Sequence, residues 1–219
     1  MYRKIINLLT EYISNLNNVP AKKRDNIRFG LEILASAIFS TFISLGTAAL
    51  LGIFTPVFTV LLASALLKSV AGGIHLDSPV WCSLFTCSIF NLLGYISIKM
   101  ATFPEIILLL LTVSVALTSL LFLYLWSPAD NEKKPITDPK KIRLLKIISL
   151  IIASIYIILS IITLYFLPQS FYPPGISLVM TLFLQSLTVT PVFYRIQEYL
   201  NKLKLPLQSI ITPGKEVKE

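Results

Sequence analysis

The chain holds one histidine, His75, and two cysteines, Cys82 and Cys87. An imidazole that removes a thiol proton produces a thiolate able to attack a carbonyl, so His75 and Cys82 are the candidate catalytic pair. On an unbroken helix their spacing would place them on one face but about 10 Å apart, too far for proton transfer. Asp77-Ser78-Pro79 lies between them and allows the chain to fold back. Ser78 followed by Pro79 has the pattern of an N-cap and a first helical residue. Cys82 then falls in the first turn of a helix, where partial positive charge and unpaired N–H groups favour a thiolate. Cys87 is more than a turn deeper. Gly72 and Gly73 offer side-chain-free backbone where a substrate peptide could approach, with N–H groups as candidate oxyanion donors. Asp77 is a candidate orienting residue for His75, with helix capping as its rival role.

The same residues admit plainer roles. Free cysteines often fill apolar helices, a histidine can sit at an interface, and Gly-Gly is often a simple turn. One His, two Cys and Asp77 match no standard metal-ligand spacing, so neither a metal nor another cofactor is expected. A disulfide between Cys82 and Cys87 is not expected within one helix.

The surroundings are those of a membrane protein. The chain is 55% apolar and 14% charged, against about 25% charged in soluble domains, and its mean hydropathy is +0.77. The first apolar run starts near residue 29 and is followed by others, which marks a retained span and not a signal peptide. The expected fold is all-α: six transmembrane helices, an amphipathic N-terminal helix on the inner leaflet, and both termini cytoplasmic. The helices are expected at Phe29–Leu51, Phe54–Val70, Pro79–Lys99, Pro104–Trp126, Ile142–Leu167 and Pro174–Tyr194. A single transmembrane domain thus divides into an interfacial segment (1–28), helices one and two (29–70), an active-site loop (71–78), helices three and four (79–126), a basic loop (127–141), helices five and six (142–194) and a tail (195–219). The only turn signal between the first two helices is "GIFTP" at 52–56, but one helix would exceed about 50 Å, too long for a single span.

Charge supports that count. With a cytoplasmic N-terminus, all of the nineteen Lys and Arg residues except Lys99 fall inside. The net charge of +8 is a topology signal spread over juxtamembrane segments, and no nucleic-acid partner is expected. Ile5, Ile6, Leu9, Tyr12, Ile13 and Leu16 follow helical spacing and define the interfacial helix. Ser83, Cys87, Asn91 and Gly94 form a small and polar strip suited to packing in lipid, against a helix of the same chain or of a second copy.

The run from Lys68 through Gly72-Gly73 and His75 to Cys82 resembles the accessory gene regulator B family of bacterial quorum sensing. So does "WSPADNEKKPI" at 126–136, together with "FGLEILAS" at 29–36, and the likeness covers most of the chain. It implies an endopeptidase of the bacterial cell membrane that processes the precursor of a secreted autoinducer peptide, with Cys82 as nucleophile and His75 as base. Lys68 stands where the family commonly has arginine, and as a point charge it lacks arginine's bidentate fork. The family's precursors carry an acidic tail, for which the loop bearing Lys133, Lys134, Lys140 and Lys141 is a candidate partner, and Lys68 is a further candidate substrate contact; the rival role of the loop lysines is to anchor topology. The implied partners are the propeptide, membrane lipid and a second copy in a homodimer. Two other classes stay open on the residues alone, a small transporter and a non-enzymatic membrane scaffold. The first normally buries ionisable groups in mid-membrane, and the second needs neither His75 nor Cys82.

Overall fold

The apolar runs fold as helices that stop where glycine or proline interrupts them. A computed structural model describes residues 2–16, 20–73, 79–129 and 138–199. The helices are α1 (Tyr2–Leu16), α2 (Ala21–Leu50), α3 (Phe54–Ala71), α4 (Pro79–Met100), α5 (Glu105–Trp126), α6 (Pro139–Phe166) and, after a 3-10 turn at Gln169–Phe171, α7 (Tyr172–Thr188). A further helix, α8 (Pro191–Tyr199), leaves α7 at 75°. Five helices are long and apolar enough to cross a membrane, or six if α7 and α8 count as one broken span.

Most expected boundaries hold within a few residues, and three departures have physical causes. Helix α2 begins at Ala21, a full two turns before the expected Phe29. Its polar first turns carry Arg28 within 3.8 Å of Asp25 and 4.0 Å of Glu32, at helical spacing. Helix α6 begins at Pro139 because Asp138 caps it, accepting from the Lys140 N–H at 2.9 Å, with proline at the first position. The sixth helix does not run unbroken to Tyr194: α7 ends at Thr188 and the chain bends before Pro191. Proline lacks an N–H and pushes the preceding residue out of helical geometry. The expected turn between the first two spans is present at Gly52, whose φ of 70° reverses the chain while the Ile53 N–H returns to the Ala48 carbonyl at 2.9 Å.

Large apolar side chains lie mostly on the outside, as at Phe42, Leu50, Leu117 and Phe166, where lipid would cover them. The helix contacts are lined by small and hydroxylated residues. Ser97 pairs with Ser177 at 3.0 Å and Ser119 with Ser186 at 3.1 Å, and the Tyr156 hydroxyl donates to the Ala63 carbonyl at 3.0 Å. Such residues let helices approach closely and hold one another where no hydrophobic force drives them together. Helix α7 packs against α3, α4, α5 and α6 and is the hub of the bundle.

The strip on α4 finds its partners in the same chain. Ser83 pairs with Ser36 at 2.9 Å, and Asn91 donates to the Ser44 carbonyl at 3.4 Å, so α4 runs parallel to α2. Gly94 faces α3, where a Cβ would collide with the Val57 side chain. A homodimer would therefore have to use a different face. On α1, Ile6, Thr10 and Ser14 turn toward α2, while Ile5, Leu8, Leu9, Tyr12 and Leu16 form an exposed apolar stripe of the kind an interfacial helix presents to lipid.

Replacing Gly94 with leucine is expected to force α3 and α4 apart at a cost of about 1–3 kcal/mol. It should lower the midpoint of thermal unfolding in detergent, whereas Gly46→Ala, with open space around it, should not.

Candidate active site

Cys82 is half-buried in the first turn of α4. Lys68, also half-buried and in the last turn of α3, lies within electrostatic reach of it. Cys87 has a different environment: Asn91 donates to its Sγ at 3.6 Å and Thr47 lies 3.8 Å away, so it belongs to the α2–α4 contact. The two cysteines are thus separated by what surrounds them, and neither is in a disulfide.

The chain leaves α3 through Gly72 and Gly73, which have φ of 74° and 129°. This short strap is held on two sides. The Ala129 N–H donates to the Ala71 carbonyl at 2.8 Å, and Gly72 forms a parallel bridge with Ala129. From the other side the Gln185 Nε2 of α7 donates to the Gly72 carbonyl at 2.9 Å. A Cβ on Gly72 would collide with the Ala129 carbonyl oxygen, and one on Gly73 would come within 3.0 Å of the Thr188 Oγ1 and 3.2 Å of the Gln185 Nε2. Glycine is required at Gly72 by close approach to backbone, and at both positions by backbone angle. The Gly72 N–H donates to the Lys68 carbonyl at 3.1 Å as a helix cap, so it is already engaged by the end of α3.

The same end of the bundle receives the start of the basic loop. Ser127 is buried and its hydroxyl pairs with that of Ser149 at 2.9 Å, which ties the exit of α5 to α6 and delivers Ala129 to the strap. His75, Asp77 and the Ser78 cap lie outside the described residues, as do Lys133 and Lys134. In sequence, His75 follows Gly73 by two residues and Lys133 follows Ala129 by four. Among the described residues, no group of three or more His, Cys, Asp or Glu side chains is placed to hold a metal ion.

Gln185, Thr188 and Ala129 did not stand out in the sequence. The one available signal was the polar series Ser177, Thr181, Gln185 and Thr188, recurring at helical spacing through an otherwise apolar segment.

Long apolar helices joined by polar inner seams define a polytopic helical membrane protein. The family model for accessory gene regulator B matches residues 3–189, and the chain belongs to that family. It is 26% identical over 192 residues to Accessory gene regulator protein B of Staphylococcus epidermidis, covering 87% of this chain and 92% of that protein. The namesake in Staphylococcus carnosus is 28% identical over 166 residues, with 76% and 82% covered. An AgrB-like protein of Clostridium perfringens is 25% identical over 187 residues, with 84% and 85% covered. No solved structure matches the chain.

Gly72→Ala meets a backbone carbonyl that cannot move aside and also strains a left-handed residue, a cost of about 2 kcal/mol or more. Gly73→Ala meets only side-chain ends for its contacts. Thermal unfolding of the two variants in detergent should rank Gly72→Ala as the more destabilised.

Proposed function

We propose that this chain is a membrane-embedded cysteine endopeptidase that removes the C-terminal tail of a quorum-sensing propeptide and enables its cyclisation. Membership of the accessory gene regulator B family supports a part in processing such a peptide. The observation that carries the enzyme reading is the setting of Cys82: half-buried at the start of α4, within electrostatic reach of Lys68 at the end of α3, and seven residues after the only histidine.

In this mechanism His75 takes the proton of the Cys82 thiol and the thiolate attacks the carbonyl of the scissile bond. The tail leaves as an amine carrying the proton returned by the imidazole, and the peptide stays on Cys82 as a thioester. An internal cysteine of the precursor then attacks that thioester, which releases Cys82 and closes a thiolactone; an internal serine would give a lactone. Exchange between thioesters is nearly neutral in energy, whereas a peptide already hydrolysed to a free acid would be hard to close. Gly72 and Gly73 hold the strap against Ala129 and α7, and Asp77 orients His75. Lys133 and Lys134, on the loop that begins at the strap, meet an acidic tail. The site faces the cytoplasm of a bacterial cell, which is the side on which nearly all the cations then lie.

Coexpression with the cognate precursor tests this directly. Cys82→Ala and His75→Ala should abolish release of the tail, while Cys87→Ala should keep it within about twofold; full processing by Cys82→Ala contradicts the proposal. For orientation, a cysteine placed at the exposed Ser69 should react with reagents from the cytoplasmic side only.

A further inference from the structure

We propose that Arg143, Lys146 and Tyr124 form a site for the phosphodiester of an anionic phospholipid, in the lipid-facing seam between α5 and α6. The proposal goes beyond the peptidase reading and does not depend on it. Lys140, Lys141, Arg143 and Lys146 all stand in the first turns of α6. Like charges this close repel one another, and among the described residues no carboxylate forms an ion pair with any of them. Asp138 caps the helix through the Lys140 N–H.

Arg143 and Lys146 differ from the first two lysines in their surroundings. They are interleaved with Ile142, Leu144 and Ile147, whose side chains are exposed on the surface of the bundle. Lipid covers such residues, so the two cations leave the helix where hydrocarbon gives way to headgroups, and long basic side chains there extend to the phosphates. Three residues apart, they share a face of α6. Lys146 is half-buried and turns toward α5, where its Nζ stands 5.3 Å from the centre of the Tyr124 ring. Tyr124 is itself exposed, so its ring and hydroxyl border the same surface. The seam thus offers a guanidinium fork, an ammonium and a phenol hydroxyl. A phosphodiester matches this set, with one negative charge and two free oxygens for the fork. Its acyl chains would also cover Leu144 and Ile147, which a soluble anion would leave bare.

The seam is tied to the end of the bundle that holds the strap. Ser149, three residues after Lys146, pairs with Ser127 at 2.9 Å, and Ser127 leads to the Ala129 that meets Gly72. A lipid bridging α5 and α6 here would brace that anchor. The protein supplies its own control at the opposite end of α4. There Lys99 stands 5.4 Å from the centre of the Tyr95 ring, within one helix and with no other cation near it in the sequence.

Thermal unfolding of the full-length chain in a neutral detergent, with phosphatidylglycerol or phosphatidylcholine added at equal mole fraction, tests the site. Phosphatidylglycerol is expected to raise the midpoint by about 5 °C and phosphatidylcholine to leave it unchanged. Combined Arg143→Gln and Lys146→Gln should abolish that rise, measured from the variant's own midpoint without lipid. Lys146→Arg, which keeps the charge, and Lys99→Gln should retain it. Any rise given by inorganic phosphate or by a soluble oligoglutamate peptide is expected to survive the double substitution. Equal rises with the two lipids, or a phosphatidylglycerol rise that survives the double substitution, overturn the proposal. Loss of the rise in Lys99→Gln makes it a general attraction of a chain of net charge +8, and loss in Lys146→Arg makes it a packing effect; either result also overturns it. If phosphate or oligoglutamate gives a rise that the double substitution removes, the cations serve a soluble anion or an acidic peptide, and the lipid site is overturned.

Discussion

The last carbonyls of a helix have no donor within it, and where the helix end is buried each must find one elsewhere in the protein. At the end of α3 the donors are the Ala129 N–H and the Gln185 amide, from two segments far apart in the sequence. The arrangement at this end of the bundle follows from that requirement. Satisfying the Ala71 carbonyl draws the loop after α5 onto the strap, and satisfying the Gly72 carbonyl ties the strap to the hub helix. The glycines are needed because these contacts leave no space for side chains.

The remainder of the bundle has the rigidity such a site requires. Small residues and paired hydroxyls fix α7 against α4 and α5, and large apolar side chains are left on the outer surface. Since the hydrophobic effect does not drive helices together in lipid, the register of the bundle depends on these short polar contacts and on close approaches such as Gly94 to Val57.

The positions of the spans were legible because twenty-residue apolar runs and flanking cations are local signals. The different settings of the two cysteines were legible for the same reason, since Ser78-Pro79 precedes one of them and the strip through Asn91 contains the other. The early start of α6 was also written locally, in Asp138-Pro139, and was hidden by the greater apolarity that begins at Ile142. The bend before Pro191 had a signal too, outweighed by the apolar residues on either side. The roles of Gln185 and Ala129 could not be read from one sequence, because each is defined by a partner brought close only by the tertiary fold. A glutamine inside an apolar run announces that it must be satisfied, but not by what.

The central claim is that peptide cleavage passes through a thioester on Cys82. A precursor whose internal cysteine or serine nucleophile is replaced by alanine cannot close a ring and should stall at that stage. Intact-mass and peptide mapping of the membrane-embedded protein after incubation with such a precursor should show the tail-less peptide attached at Cys82 and released by hydroxylamine. Loss of the tail without any adduct on Cys82, or with the adduct on Cys87, would contradict the account.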